Sequence, residues 1–381
     1  MPPVHLNPQD DEKRLLWRLR THGAQPRSDL AKALGLSNSV LTKLTRNLLA
    51  LNLIEEVEPE EPQGHGQGRG RPTVPLRISP GGGYAVGVTV HTGVLEIALV
   101  DYAGGTIALT SEKIDPPEPY DFARMVDRRI HELAVEHRLL GTRLLGVGLS
   151  APGPALSRDG NRWSIVANLP GWRGAPLHDI LTQTLHQPVW IENDATAAAL
   201  AEYYLGGLID HCSTAIIITL GYGIGAGIIH DGRLLRGEVG SAGEIGMFYP
   251  GDAPRPSPVD LLATLAQAGC SLTSIADFET QTRGFEPVIE QWLDRAAQQL
   301  KLAVNSALAW FDPGAIRLTS PLPRAVVQQL ADRLNDGLLI WGDHRADCEV
   351  PTFAVDVSHL QGASSVLGAA LLPIHASIAK G

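Results

Sequence analysis

The chain of 381 residues carries only 3 cysteines, Cys212, Cys270 and Cys348, far apart and in no Cys-x-x-Cys pair. That scarcity excludes a disulfide framework and a cysteine-based zinc site. No apolar run is long enough to cross a bilayer. The longest, Ala215–Ile229, is broken by Gly221, Gly223, Gly225 and Gly227. The opening MPPVHLNPQDDEKR has no apolar signal core. A cytoplasmic protein with no membrane partner is the expectation. Nor is positive charge in excess: the net charge is −10, which argues against a general coat on nucleic acid.

What is present is an ordinary globular composition, 44% hydrophobic and 19% charged, on a length that suggests two or three domains. The charge is unevenly spread. Residues 1–80 hold 11 basic and 9 acidic side chains, a net of +2, whereas the remainder is at −12. Eight basic residues fall within 13–46, against Asp29 alone. A small basic module on an acidic body is a reason to look for DNA binding.

The stretch RSDLAKALGLSNSVLTKLTRNLLALNLI reads as two helices around a tight turn. Gly35 suits a positive φ, and Ser37 can cap the second helix. In that helix Val40, Leu44, Leu48 and Leu51 repeat as a core face. Ser39, Thr42, Lys43 and Arg46 form an outward stripe, and with Ser37 and Asn38 they are candidate DNA contacts. A merely solvated face would look the same, but the continuation favours DNA. Leu53–Val57 reads as a strand, a glycine-rich loop over 58–73 follows, and Val74, Leu76 and Ile78 alternate as a second strand. Helix–turn–helix followed by a hairpin predicts a winged helix over 1–78. Arg69 and Arg71, between glycines at the loop tip, can enter a narrow minor groove. The acidic run from Glu55 to Glu61 counts against the loop base touching phosphate.

From Tyr84 the pattern becomes a β meander, and a second strand–glycine–strand set begins near Thr214. Two such starts about 130 residues apart suggest two related lobes with a cleft between them. The segment VWIENDATAAALAE, 189–202, then places Asn193 and Asp194 at a strand–helix junction, where ligands of open α/β sheets bind. Asp194 can be a general base, a ligand clamp, or part of a helix N-cap.

Taken in order, LAKALGLSNSVLTKLTRNLLALNLIEE, GRGRPTVPLRISPGGGYAVG, SAPGPAL, NLPGW, IENDATAAALAE, LGYGIGAGIIHDGRLLRG, AGEIG and SSVLGAALL resemble the ROK family of repressors, open reading frames and kinases. The resemblance is to its regulators with an N-terminal winged helix. It implies an α/β fold of two ribonuclease-H-like, actin-like lobes behind the winged helix–turn–helix. The first lobe would span 82–194 plus 361–381 and the second 195–360, with the last helix packing back on the first lobe. It also implies that Asn168, Asn193, Asp194 and Glu244 contact sugar hydroxyls, and that the body forms a homodimer.

Departures from the kinase pattern bear on activity. Thr89 stands where the kinases carry an Asp near metal and phosphates, and a neutral hydroxyl is a poor magnesium ligand. Tyr222 occupies the middle of the second glycine turn, and Ser320-Pro321 replace glycines near the nucleotide base. Met247 stands in place of a zinc-binding His, ahead of a loop without cysteine. The expectation is a repressor that senses a sugar or sugar derivative through a pseudokinase body, with operator DNA as partner and with no metal, cofactor or catalytic residue. An active sugar kinase with an appended DNA-binding domain, and an effector-independent DNA-binding regulator, are the alternatives.

Overall fold

The computed structural model describes residues 6, 8–58, 74–91, 93–165, 169–250, 253–272, 275–336, 353–360 and 362–379. Asn168, Arg69, Arg71 and Cys348 lie outside them.

The N-terminal unit is built from α1 (Asp10–His22), β1 (Gln25–Pro26), α2 (Arg27–Leu34), α3 (Asn38–Ala50), β2 (Ile54–Glu56) and β3 (Pro75–Ile78). Its strands form one antiparallel sheet in the order β1-β3-β2. Between α2 and α3 Gly35 adopts φ 67°, the left-handed turn that a Cβ would penalise. Ser37 caps α3 by accepting from the Val40 backbone N–H.

The core face of α3 differs from the expected one. Leu41, Thr45 and Leu48 are buried, whereas Val40 is 42% exposed and Leu51 37%. The two settings share Leu48 and differ by about one residue of rotation, so the apolar spacing alone did not fix the phase. Thr45 can be buried because its Oγ1 donates to the Thr42 carbonyl at 3.2 Å.

The body holds two five-stranded mixed sheets. The first comprises β4 (Tyr84–His91), β5 (Val94–Asp101), β6 (Thr106–Lys113), β7 (Leu144–Ala151) and β8 (Val189–Asn193), in the order β6-β5-β4-β7-β8. The second comprises β9 (Thr214–Leu220), β10 (Ile224–His230), β11 (Arg233–Leu234), β12 (Ala315–Thr319) and β13 (Val355–Val357), in the order β11-β10-β9-β12-β13. Each begins with an antiparallel hairpin extended by parallel strands, which is the repetition read in the sequence.

Helices α4 (Pro119–Glu136) and α5 (Leu177–Leu185) cover the outer face of the first sheet. Helices α7 (Pro258–Gln267), α9 (Glu286–Phe311) and α10 (Arg324–Asn335) cover that of the second, and α8 is a single turn at Phe278–Gln281. Between the sheets lie α6 (Asp194–Tyr204), on β9 and β10, and α11 (Ser364–Ile378), on β4 and β7.

The alanine run of α6 follows from how closely these layers approach. A Cβ on Gly368 of α11 would sit 1.7 Å from the Ala197 carbonyl oxygen, and one on Gly148 of β7 would sit 1.9 Å from that of Ala369. Larger side chains would force the two helices apart. One buried charge cluster ties this middle layer together. Glu202 of α6 is fully buried and accepts from Arg317 of β12 at 3.1 Å and from Ser364 of α11 at 2.7 Å. Arg317 also donates to Asp356 of β13 at 2.7 Å, so neither charge is left alone in the core.

Candidate functional site

The strand ends of both sheets meet at an interlobe cavity of about 460 Å³. In the first sheet Thr89 pairs with Glu96 and with Ser150, and Asn193 with Ala151. In the second, Thr219 pairs with Gly225 and with Thr319. Asp194 therefore stands at the mouth of one sheet, opposite Thr219 and Ser320 of the other, and all three line the cavity. This is the expected place for a ligand of an open α/β sheet.

Asn193 is the N-cap of α6. Its Oδ1 accepts from Ala195 N–H at 2.8 Å and its Nδ2 donates to the Gly153 carbonyl at 3.0 Å. Its first task is thus to hold the junction in place. Asp194 follows as the first helical residue and also accepts from Ala195 N–H at 2.8 Å. Burial pushes its carboxyl above the ordinary range, and the neighbouring His91 pulls it back in part.

Glu244 arrives from the second lobe. Gly243, at φ 88°, lies against β10 so closely that a Cβ would be 1.8 Å from the Ala226 carbonyl oxygen. Ala226 N–H donates to the Gly243 carbonyl at 2.8 Å, which fixes where Glu244 starts. The Glu244 carboxyl is pushed up to about 7, first by burial and then by the negative charge of Asp194. The charge of Asp194 thus reaches Glu244 and favours its protonated form. Glu244 lines a second, mostly apolar cavity of about 470 Å³ beside Met247, which is 86% exposed, and Trp310.

Of the positions that depart from the kinase pattern, Met247 lies at this second cavity and the others gather at or behind the interlobe one. Tyr222, Ser320 and Pro321 all line the interlobe cavity, which stays open with Tyr222 half exposed. Thr89 is fully buried behind it, within 3.4 Å of the Ser150 carbonyl and of His91 Nε2. Among the described residues no group of three or more His, Cys, Asp or Glu side chains is placed to hold a metal ion.

Sequence reasoning missed His91 and Glu96, which also line the cavity. Their signal was position: His91 lies two residues beyond Thr89, and Glu96 lies opposite Thr89 across the hairpin. Also missed was the pair of Glu192 with Arg236, which ties β8 to the second lobe.

On the N-terminal unit, Ser37, Asn38, Ser39, Thr42, Lys43 and Arg46 are all exposed. Thr42 spends its hydroxyl on the Asn38 carbonyl at 2.7 Å, and Ser37 and Ser39 share a bond of 3.0 Å. Lys43 and Arg46 make no ion pair with any described residue. Arg14 pairs with Asp11 at 2.8 Å and Arg27 with Glu56 at 2.7 Å, whereas Lys13 and Lys32 also make no ion pair with a described residue. The acid at the loop base is likewise partly neutralised, since Arg77 holds Glu55 at 2.7 Å.

This unit is seated on both lobes through α1. Arg20 donates to the Tyr102 and Ala103 carbonyls of the β5–β6 turn, and its guanidinium stands over the rings of Tyr102 and Tyr204 at 5.7 and 5.5 Å. Trp17 packs edge-on to Tyr204, with ring centroids 6.5 Å apart. It also covers Gly232 of the β10–β11 turn, where a Cβ would lie 2.1 Å from the indole. One helix thus touches a turn of each sheet.

Comparison with known proteins agrees with this architecture. A protein of Sinorhizobium fredii, uncharacterized protein y4fQ, is 29% identical over 98% of this chain and 92% of its own. The xylose repressor of Caldicellulosiruptor bescii is 28% identical over 58% of this chain, and the glucokinase of Halalkalibacterium halodurans 36% over 51%. The chain spans 53% and 59%, respectively, of the length of those two relatives. The crystal structure of a ROK family transcriptional regulator, a homologue of the E. coli MLC protein, superposes with a TM-score of 0.70 at 21% identity, over 97% of both chains. The ROK hexokinase of Thermus thermophilus superposes at 0.58 over 76% of this chain and 97% of its own. The family model of ROK matches residues 85–374, which cover both sheets and the two helices between them, and the chain belongs to the ROK family.

Proposed function

We propose that the chain is a transcriptional repressor in which a winged helix–turn–helix over residues 1–78 reads operator DNA, while the two-lobed body, 82–194 with 361–381 and 195–360, senses a sugar or sugar derivative without phosphorylating it. One observation carries the DNA half: α3 presents two cations, Lys43 and Arg46, that pair with no described residue, on an exposed stripe with Ser39 and Thr42. Side chains of this kind read base edges and phosphates in a major groove. The repressor names among the relatives support the same reading. Two recognition helices are needed on a two-fold operator, so the working unit is a homodimer.

For the body, Asp194 acts as a clamp on ligand hydroxyls, with Glu244 beside it and with Asn193 and Asn168 completing the set. The raised pKa of Glu244 lets it donate as well as accept near neutral pH, which suits vicinal hydroxyls. Thr89 and Tyr222 support absence of phosphoryl transfer, because that reaction depends on metal-neutralised charge and close positioning. The glucokinase relative keeps one rival in view, an active kinase with an appended DNA-binding unit.

The test begins with duplexes selected from a random pool on the purified full chain. Binding is then titrated for wild type, Lys43→Ala and Arg46→Ala, and sugar-dependent ATP turnover is measured alongside. Sequence-selective binding that both variants weaken, with turnover at background, is the expected result. No selectable duplex, or steady turnover abolished by Asp194→Asn, overturns the reading.

A further inference from the structure

The interlobe cavity differs from a phosphate site in the charge of its lining. Among the described residues that line it there is no lysine and no arginine. Arg324 lines the adjoining hollow instead, where it contacts His359. The ionisable side chains present are His91 and the carboxyls of Glu96 and Asp194, each carboxyl pushed above its ordinary range by burial and drawn back in part by His91. A phosphoryl group placed there would meet two carboxyls on the side of the first sheet, with no lysine or arginine in the described lining to offset them.

Most hydroxyls of the lining are already committed. Thr319 shares a bond of 3.0 Å with Ser364, Ser320 accepts from Leu322 N–H at 3.3 Å, and Ser365 donates to the Asp194 carbonyl at 3.2 Å. Two groups are not. Glu96 makes no hydrogen bond or ion pair with a described residue. Thr219, only 8% exposed, has an Oγ1 with no hydrogen-bond partner among the described residues. A buried hydroxyl left unpaired costs free energy unless a ligand or water completes it. The rest of the wall is apolar, with Tyr222, Leu262, Ile275 and Pro321. The volume of about 460 Å³ is in the range of small-molecule sites.

We propose that this cavity binds a small amine carried on an apolar body, with the ammonium held by Glu96, Asp194 and the Thr219 hydroxyl and the body lying against Tyr222, Leu262, Ile275 and Pro321. An ammonium has three N–H donors and no acceptor, which matches three acceptors. The site is distinct in chemistry from the hydroxyl clamp at Asp194 and Glu244, although Asp194 serves both. The proposal rests on the reading of the body as a ligand sensor that does not transfer phosphate, and it names a ligand class for the compartment where a kinase would hold its donor.

The test uses the full chain in isothermal titration at low salt with three probes on one scaffold: 2-phenylethylamine, 2-phenylethanol and phenyl phosphate. The amine should bind at least tenfold more tightly than the alcohol, and phenyl phosphate should not bind. Glu96→Gln should weaken the amine at least tenfold and the alcohol by much less. Leu262→Trp, which fills the cavity from α7, should abolish binding of both. Each variant is checked for wild-type melting before it is titrated. Alcohol binding as tight as amine binding, measurable phenyl phosphate binding, no binding of any probe, or amine binding that survives both substitutions would overturn the proposal. Selected duplex binding is measured on the same preparations. Amine binding by a protein that selects no duplex sustains the proposal and removes only the repressor reading.

Discussion

At the scale of single residues, the partly buried Glu244 and the buried His375 respond to pH in opposite ways. Glu244 is pushed up to about 7, so between pH 4.5 and 7 the folded chain holds a proton that the unfolded chain releases. Its contribution to stability is present in acid and is lost as pH rises through 7. Glu244→Gln is therefore expected to be more stable than wild type at pH 8, by roughly 1–2 kcal/mol once solvent screening of this partly exposed group is allowed for, and to match it at pH 5. His375 is pushed down to about 3 by burial and then by Arg236 and Arg20, and its Nδ1 meets the Tyr204 hydroxyl at 2.9 Å. The unfolded chain takes up that proton from pH 6.5 downward while the folded chain refuses it. Stability is lost as pH falls, on the order of 4 kcal/mol by pH 3. Denaturant melts from pH 3 to 8 on wild type and Glu244→Gln separate the two, and a Glu244→Gln curve parallel to wild type throughout would contradict the first. Asp194 and Glu244 were legible in the sequence because each sits in a short motif with its glycine or cap. His91 and Glu96 were not, since their meaning comes from a second lobe facing them, and no spacing along the chain encodes that face.

At the scale of elements, the turn between α2 and α3 was readable from Gly35 and Ser37, since both act through local backbone geometry. The phase of α3 was not, because apolar residues at 40, 41, 44, 48 and 51 offer two overlapping faces and a polar Thr45 completes the true one. The outward stripe survived that rotation, as Ser39, Thr42, Lys43 and Arg46 are exposed. If Lys43 or Arg46 reads a base, its loss should cost about 1–3 kcal/mol and relax preference at one position; if it meets phosphate, the log–log salt dependence should flatten by about 0.9. Salt titrations of both variants on a selected duplex tell the two apart, and unchanged binding by the double variant would mean that another surface meets the DNA. Helix α1 was overlooked, although its first turn is acidic and its last turn basic, the order a helix dipole favours. Its role depends on Trp17 reaching Gly232, a contact over more than two hundred residues that no local pattern announces. Trp17→Ala should lower stability by about 2–3 kcal/mol, less than a full core truncation because the ring is only partly buried. It should also weaken the influence of ligand on duplex binding while leaving binding without ligand near wild type. Full ligand response in that variant would exclude α1 as the link.

For the whole molecule, the two-lobe layout was legible from its internal repetition, two hairpin-led sheets 130 residues apart. The order of the layers between them, with α11 returning from the end of the chain to lie on β4 and β7, is a long-range fact. Its signature in the sequence is the small-residue runs of 194–201 and 364–370. Coupling across such a body is reciprocal, so any factor by which ligand weakens duplex binding must equal the factor by which duplex weakens ligand binding. Titration of the same ligand with and without saturating duplex checks this, and unequal factors would show that a third equilibrium, such as dimer dissociation, is involved. The seat of α1 has a further consequence, for how the protein can be cut. Arg20 and Trp17 shield the rings of Tyr102 and Tyr204 at the boundary of the two lobes. A fragment beginning at Tyr84 would keep both sheets yet lay those rings and the neighbouring Leu205 open to water, next to the apolar end of α11. Exposed aromatic patches of that kind self-associate. The kinase-like half, divided from its first eighty residues, should elute as aggregates where the full chain elutes as a discrete species, and restoring residues 8–22 as a separate peptide should return part of it to solution.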